Sequence, residues 1–424
     1  MPRVLSPLTV RLHAPPIAVR NVMTSWRRSA VAIFGMGFAV VMVLLQLGFL
    51  QAVRSTAAVN YDQLDFDVAL VSPDFEQFYD PGSFPRDRLR QAKAITTVRS
   101  ARPLLAQMQL WRCPPYPPDG PVAGPATSRE LSALERWWLG SKRPRAAQRR
   151  ALLVLGIEPD AHPFRDPIRG QIAAAGSALR MDGRWLMNAW SNPDFGWDLR
   201  DRFHGWELGA GRASVVGAFT LRRSFGADAA VLGTEANFAR AFGLPTPGVP
   251  VNFGLVSVAP GTAAETAAAL NARLPHDVKA LSRDELYQIE EDYWVNQTAT
   301  GKIFSFGVVV TMFVAAVVVY QVLSNDVREH LPEYATLKAM GYTHSLLSSV
   351  VLSQAALYAV AAYLPAALVS YGLYRITETL ANIPMDLTPL NLAVVLMLTL
   401  ATSFASGLLT LRKVRSADPA DLFA

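Results

Sequence analysis

Four long runs free of Asp, Glu, Lys and Arg interrupt the chain, at 30–50, 303–323, 346–374 and 390–411. About 20 helical residues cross a bilayer's hydrocarbon core, so each run predicts a transmembrane helix. Charge-free spans argue against a proton relay or ion pathway, which needs ionisable groups within the membrane. The first run is longer than the apolar core of a signal peptide and follows a long N-terminal region, so it reads as an uncleaved anchor. Pro365 lies inside the third run and predicts a kink there, or a division into two helical pieces.

Between the first two runs the pattern changes. Short apolar runs at 67–72, 151–156, 214–219 and 252–258 predict strands. Helical spacing appears at 85–94, 263–274 and 282–294. The segment is long enough for its own core, and strands and helices interleave. The fold class is therefore an α-helical membrane protein with four transmembrane helices plus a mixed α+β domain inserted between helices 1 and 2. Residues 51–64 and 284–302 contain few breakers and are expected to continue the flanking helices as stalks.

Residues 112–150 form a Pro-rich and basic excursion, beginning Cys113-Pro-Pro-Tyr-Pro-Pro118. Apolar strand-like sequence lies on both sides, at 104–111 and 151–155, so the excursion is expected to join two paired strands. Trp137 and Trp138 precede Lys142, Arg143, Arg145, Arg149 and Arg150. That combination suits membrane lipids or a partner protein; a solvated loop is the alternative.

Charge supplies the orientation. Arg3, Arg11, Arg20, Arg27 and Arg28 precede the first run without any acidic residue, and Arg412, Lys413 and Arg415 follow the last. Both termini are expected in the cytoplasm, by the positive-inside rule. The organisation that follows is a cytoplasmic segment 1–29, helix 30–50, periplasmic domain 51–302, helix 303–323, cytoplasmic loop 324–345, helix 346–374, periplasmic loop 375–389, helix 390–411 and cytoplasmic tail 412–424. The expected location is the bacterial inner membrane. A net charge of +6 reflects this topology, and no nucleic-acid partner is expected. Only 17% of residues are charged, against about 25% in soluble domains, which agrees with a membrane protein. One cysteine excludes a disulfide framework.

The chemistry of an enzyme is missing. There is no G-x-x-x-x-G-K-[ST] phosphate loop, no H-E-x-x-H and no G-x-S-x-G. Gly35-Met-Gly37 and Gly209-Ala-Gly211 lack the third glycine of a dinucleotide site and read as packing or turn glycines. His204 lies near Asp198, Asp201 and Glu207 in sequence, but a surface histidine is the simpler reading. The sequon Asn296-Gln-Thr298 abuts the second run, and Cys113 reads as an idle thiol. No catalytic, cofactor or metal site is expected in this chain.

One local signal is sharp. After the second run come His330-Leu-Pro-Glu-Tyr-Ala-Thr-Leu-Lys-Ala-Met-Gly-Tyr342. Pro332 suits a first helical position and Gly341 the residue past a helix end, which predicts a short surface helix over 332–340. An amphipathic connector is its plain reading. The segment also closely resembles the corresponding loop of the DevC permeases, membrane subunits of DevBCA-type exporters within the MacB/LolC/FtsX group of ABC transporter permeases. Further similarity lies in Val215-Val-Gly-Ala-Phe219 with Phe225-Gly-Ala-Asp228, in Ser191-Asn-Pro-Asp-Phe-Gly196, in Leu274-Pro-His-Asp-Val278 and in Ser416-Ala-Asp-Pro-Ala-Asp-Leu-Phe423.

This resemblance implies a non-hydrolytic permease that works as a homodimer. A separate ABC ATPase subunit would bind ATP and Mg. A periplasmic adaptor (membrane fusion protein) and a TolC-like outer-membrane protein would complete an export route for an envelope-directed substrate, glycolipid among the candidates. The mechanism implied is mechanotransmission, helix motion that moves the outer domains. Pro332, Glu333, Tyr334, Leu337, Lys338, Met340 and Gly341 are then the expected ATPase-coupling residues. On a helical wheel Glu333, Leu337 and Met340 fall within about 60°. Gly35, Gly37 and Gly48 offer small surfaces for a dimer interface, lipid-facing glycine being the alternative. The competing reading is a membrane receptor or sensor with a periplasmic ligand-binding domain.

Overall fold

The computed structural model describes residues 26–112, 149–191, 204–222, 226–246, 248–330, 332–333, 336, 340, 343–381 and 385–416. In chain order its elements are α1 (Trp26–Ala57), α2 (Val59–Asp62), β1 (Val68–Val71), α3 (Asp87–Lys93), β2 (Val98–Arg112) and β3 (Arg149–Ile157). Next come α4 (Ile168–Arg180), β4 (Arg184–Asn188), β5 (His204–Leu208), β6 (Gly211–Phe219), β7 (Ala229–Thr234), α5 (Glu235–Phe242), β8 (Phe253–Val258), α6 (Ala263–Arg273), β9 (Lys279–Ser282) and α7 (Arg283–Asp292). A π-helical turn (Tyr293–Gln297) leads to α8 (Ala299–Glu329), α9 (His344–Ala381) and α10 (Pro389–Ser416). Contacts divide the chain into two compact units.

One unit is a mixed sheet with helices on both faces. Among the described residues it has nine strands in the order β5-β6-β4-β7-β3-β2-β8-β1-β9. The β3–β7 and β4–β6 pairs are parallel and the others antiparallel. Alternate residues of each strand serve opposite faces. Ala69, Leu104, Leu153, Leu155, Leu232 and Leu255 pack with α4 and α7. The intervening Leu105, Val154 and Val231 pack with α5, and Val68, Leu70 and Val256 with α3 and α6. Covering both faces explains why the strand sequences read as continuous apolar runs. Gly233 of β7 lies beneath Trp185, where a Cβ would come within 2.5 Å of the ring.

The pairing of β2 with β3 runs from Leu104↔Ile157 to Arg112↔Arg149. These are the two strands expected to bracket the Pro-rich excursion, whose interior, 113–148, lies outside the described residues. Local signals set the helix ends. Ser282 and Glu285 form a reciprocal capping box at the start of α7, and the Thr234 hydroxyl caps α5, which ends at Gly243 with φ +64°; both caps satisfy otherwise orphaned backbone groups.

The other unit holds most of α1 together with α8, α9 and α10. Among the described residues, four helices are long and apolar enough to cross a membrane, Ser29–Ala57, Ala299–Glu329, Ser348–Thr379 and Pro389–Leu409. Met36 of α1, Val319 and Leu323 of α8, and Ala355, Tyr358, Ala359 and Ala362 of α9 form one core cluster. Val40, Val43 and Leu44 meet Tyr363, Ala366 and Val395 in a second. Of the two alternatives at Pro365, the structure does not show a division: α9 is one helix that runs through it. Phe34, Phe306, Phe313, Leu368 and Met397 remain exposed, as lipid-facing side chains do when the bilayer is the solvent.

Candidate functional site

The expected coupling segment begins directly after α8. Pro332, Glu333 and Thr336 are helical and exposed. The Thr336 hydroxyl donates to the Pro332 carbonyl at 2.9 Å, and the Met340 amide donates to the Thr336 carbonyl at 3.0 Å. Both bonds have the i to i+4 spacing of an α-helix. Met340 is 63% exposed, a large apolar side chain held out on a surface turn. Tyr334, Leu337, Lys338 and Gly341 lie outside the described residues.

Sequence reasoning missed the polar cluster next to this segment. α8 does not stop at the end of the apolar run but carries Asp326 into contact with its neighbours. The Asp326 carboxylate accepts from Gln354 Nε2 at 2.6 Å and from the Tyr358 hydroxyl at 2.9 Å. Tyr358 Oη lies 3.2 Å from Ser29 Oγ on α1, and His330 Nδ1 lies 2.9 Å from the Asp326 carbonyl. Ser29, Gln354, Tyr358 and His330 are all buried. The available signal was a polar pair, Gln354 and Tyr358, at i and i+4 within a charge-free run.

The three glycines expected at a dimer interface face neighbouring helices of the same chain, Gly48 at very close range. A Cβ on Gly48 would fall 2.3 Å from Cζ of Tyr374, and one on Gly37 would fall 3.4 Å from the Ala362 carbonyl oxygen. Gly35 looks onto Val322 at 3.6 Å.

In the sheet unit, Glu290 of α7 is fully buried. It accepts from the Tyr61 hydroxyl at 2.8 Å, from Trp294 Nε1 at 2.9 Å and from the Phe78 amide at 3.0 Å. Burial pushes its pKa up to about 7 against the pull of these donors, and burial followed by the nearby carboxylate raises Tyr61. Trp294 and Tyr79 line a cleft of about 680 Å³, with Gln77, Asp80, Gln107 and Asn252. Such a lining offers aromatic faces beside amide donors and acceptors, the equipment for binding a small polar ligand.

Several motif residues hold the sheet together. Asn188 binds the backbone of Leu221 through both side-chain atoms, at 2.8 and 3.0 Å. Gly226 lets the Tyr79 ring approach its backbone, and Asp277 pairs with Arg88 at 2.7 Å. His204 starts β5 opposite Ser214, while Asp198 and Asp201 lie outside the described residues, as does Cys113. Asn296 of the sequon donates to Asp292, and Thr298 to the Trp294 carbonyl. Among the described residues, no group of three or more His, Cys, Asp or Glu side chains could hold a metal ion.

Residues 305–419 match the FtsX-like permease C-terminal domain. The matched stretch runs from α8 through α10 and encloses both the 332–340 segment and the Asp326 cluster apart from Ser29. In this part the chain is similar to the permeases of ABC transporters. Members of this family are transporter subunits without enzymatic activity of their own and typically work with an ATPase partner. A search of curated proteins finds no match to the chain.

Proposed function

We propose that this chain is the permease subunit of a DevC-type ABC exporter and works by MacB-like mechanotransmission. As a homodimer in the inner membrane, it couples a separate ATPase, which binds ATP and Mg, to a periplasmic adaptor and a TolC-like duct. Its cargo is envelope-directed, with glycolipid one candidate class. The observation that carries this reading is the permease-domain match enclosing an exposed helical turn between two membrane-length helices. The 332–340 helix docks in a groove of the ATPase, its Leu337 and Met340 forming an apolar pair and Glu333 a carboxylate at the rim.

The test uses the tagged, full-length protein purified from native membranes in mild detergent. An ABC ATPase should accompany the native chain and fall at least about tenfold with Leu337→Asp, which buries an unpaired charge, while membrane levels stay equal. A signalling protein in place of an ABC ATPase would overturn the reading. Normal recovery with Leu337→Asp would make the segment a simple connector.

The orientation has its own measurement. Cys113, the one thiol, should react with a membrane-impermeant maleimide in cells whose outer membrane alone is permeabilised. Labelling that requires inner-membrane lysis would reverse the topology. The cleft lined by Trp294 and Tyr79 favours a second reading, a ligand-binding sensor, and the co-purified partner separates the two.

A further inference from the structure

We propose that Asp326, Gln354 and Tyr358 are positioning residues that set the register of the coupling segment against the first and third membrane helices; the proposal rests on the permease reading. Asp326 lies in the last turn of α8, six residues before Pro332, so whatever fixes Asp326 fixes the end of the helix from which the coupling segment starts. Its carboxylate is shared by two donors a single helical turn apart on α9. A slip of α8 along α9 by one turn, about 5.4 Å, would break at least one of these bonds. Tyr358 Oη extends the contact to Ser29 of α1, so a hydrogen-bond chain starting at one carboxylate links three helices.

At this level of the bundle the apolar packing of α8 on α9 adds little to that register, while the Tyr374 hydroxyl ties α9 to α1 farther along. α9 presents Ala355, Ala359 and Ala362 to Met36, Val319 and Leu323. Small side chains allow close approach but interlock little, and apolar contact is non-directional. Hydrogen bonds to a charged group in a low-dielectric site are directional and costly to leave unmade. An ionisable side chain at the edge of a membrane bundle is also a recurrent mark of function. The cluster thus transmits force applied at 332–340 to α1 and α9 together, where apolar faces alone would slide.

The test separates docking from coupling. The full-length permease is co-purified with its ATPase and reconstituted in proteoliposomes, as the native form, Asp326→Asn and Tyr358→Phe. Recovery of the ATPase should stay within about twofold of native, since the docking face is untouched, while ATP hydrolysis by the complex changes about fivefold or more. If Asp326→Asn fails to insert, Tyr358→Phe, which removes a single hydroxyl, decides. Hydrolysis within about twofold of native in the inserted variants would overturn the positioning role and leave the permease reading intact. Loss of the ATPase itself would also overturn it, by making the cluster part of the docking fold. Recovery of no ATPase with the native chain defeats the permease reading and this proposal with it.

Discussion

Glu290→Ala should destabilise the sheet unit by about 4 kcal/mol, because three donors, two of them buried and one half-buried, lose their acceptor at once. Leaving one such group unsatisfied costs about 1–3 kcal/mol, and the space vacated by the side chain adds a cavity cost. The Tyr61 hydroxyl, the Phe78 amide and Trp294 Nε1 come from three separate segments, so the carboxylate ties α2, the 78–79 stretch and the π-helical turn to α7. Thermal unfolding of the purified chain, followed by tryptophan fluorescence, measures the loss. Glu290→Gln keeps an acceptor and mimics the protonated acid, so it should be far milder.

The same residue gives a pH dependence with a defined sign. Its folded pKa of about 7 lies above the ordinary value of 4.5, so the folded state holds the proton more tightly. The stabilisation is complete below about 4.5 and is lost as pH rises through 7, a total of about 3 kcal/mol. Tyr61 and Tyr293, which face this carboxylate, are raised by burial and titrate above this window. Glu290→Gln should flatten the dependence between pH 5 and 8. An unchanged slope in that variant would remove Glu290 as its source.

How much of this was readable beforehand varied with the physics. The four membrane helices were plain, because length and lack of charge suffice. Apolar runs located β1, β3, β6 and β8, and the sequence flanking the Pro-rich excursion located the β2–β3 pair. Strand order was not readable, since both faces of the sheet are covered and the parallel β3–β7 and β4–β6 pairs join distant segments. Glu290 hid in the acidic run Glu290-Glu-Asp292, which reads as a solvated helix face. Its fourth-residue spacing from Trp294 was the only trace. Asp326 is the first charge beyond an apolar run, a position that reads as the end of a span, although α8 continues past it. Charge alone marks where a span ends only when the charged group has no partner on a neighbouring helix.

Gly48→Ala should lower the stability of the helical unit by about 1–3 kcal/mol, the range of an overpacked core, and toward its upper end. The added Cβ would lie 2.3 Å from both Cζ and Oη of Tyr374, far inside van der Waals contact. The ring cannot simply swing away, because Tyr374 is buried and its hydroxyl donates to the Leu44 carbonyl one turn earlier on α1. Tyr374→Ala removes the clash but empties a large site, at about 3–5 kcal/mol on its own. Combined with Tyr374→Ala, Gly48→Ala should cost little further, so the two changes are non-additive by about 2 kcal/mol. The midpoint of heat-induced aggregation, read by fluorescence-detected size exclusion, gives all four corners of the cycle. A harmless Gly48→Ala would mean that the ring does not occupy this space. If Gly48 instead served a contact between two copies, Gly48→Ala would weaken inter-subunit cross-linking, and Tyr374→Ala would not relieve it.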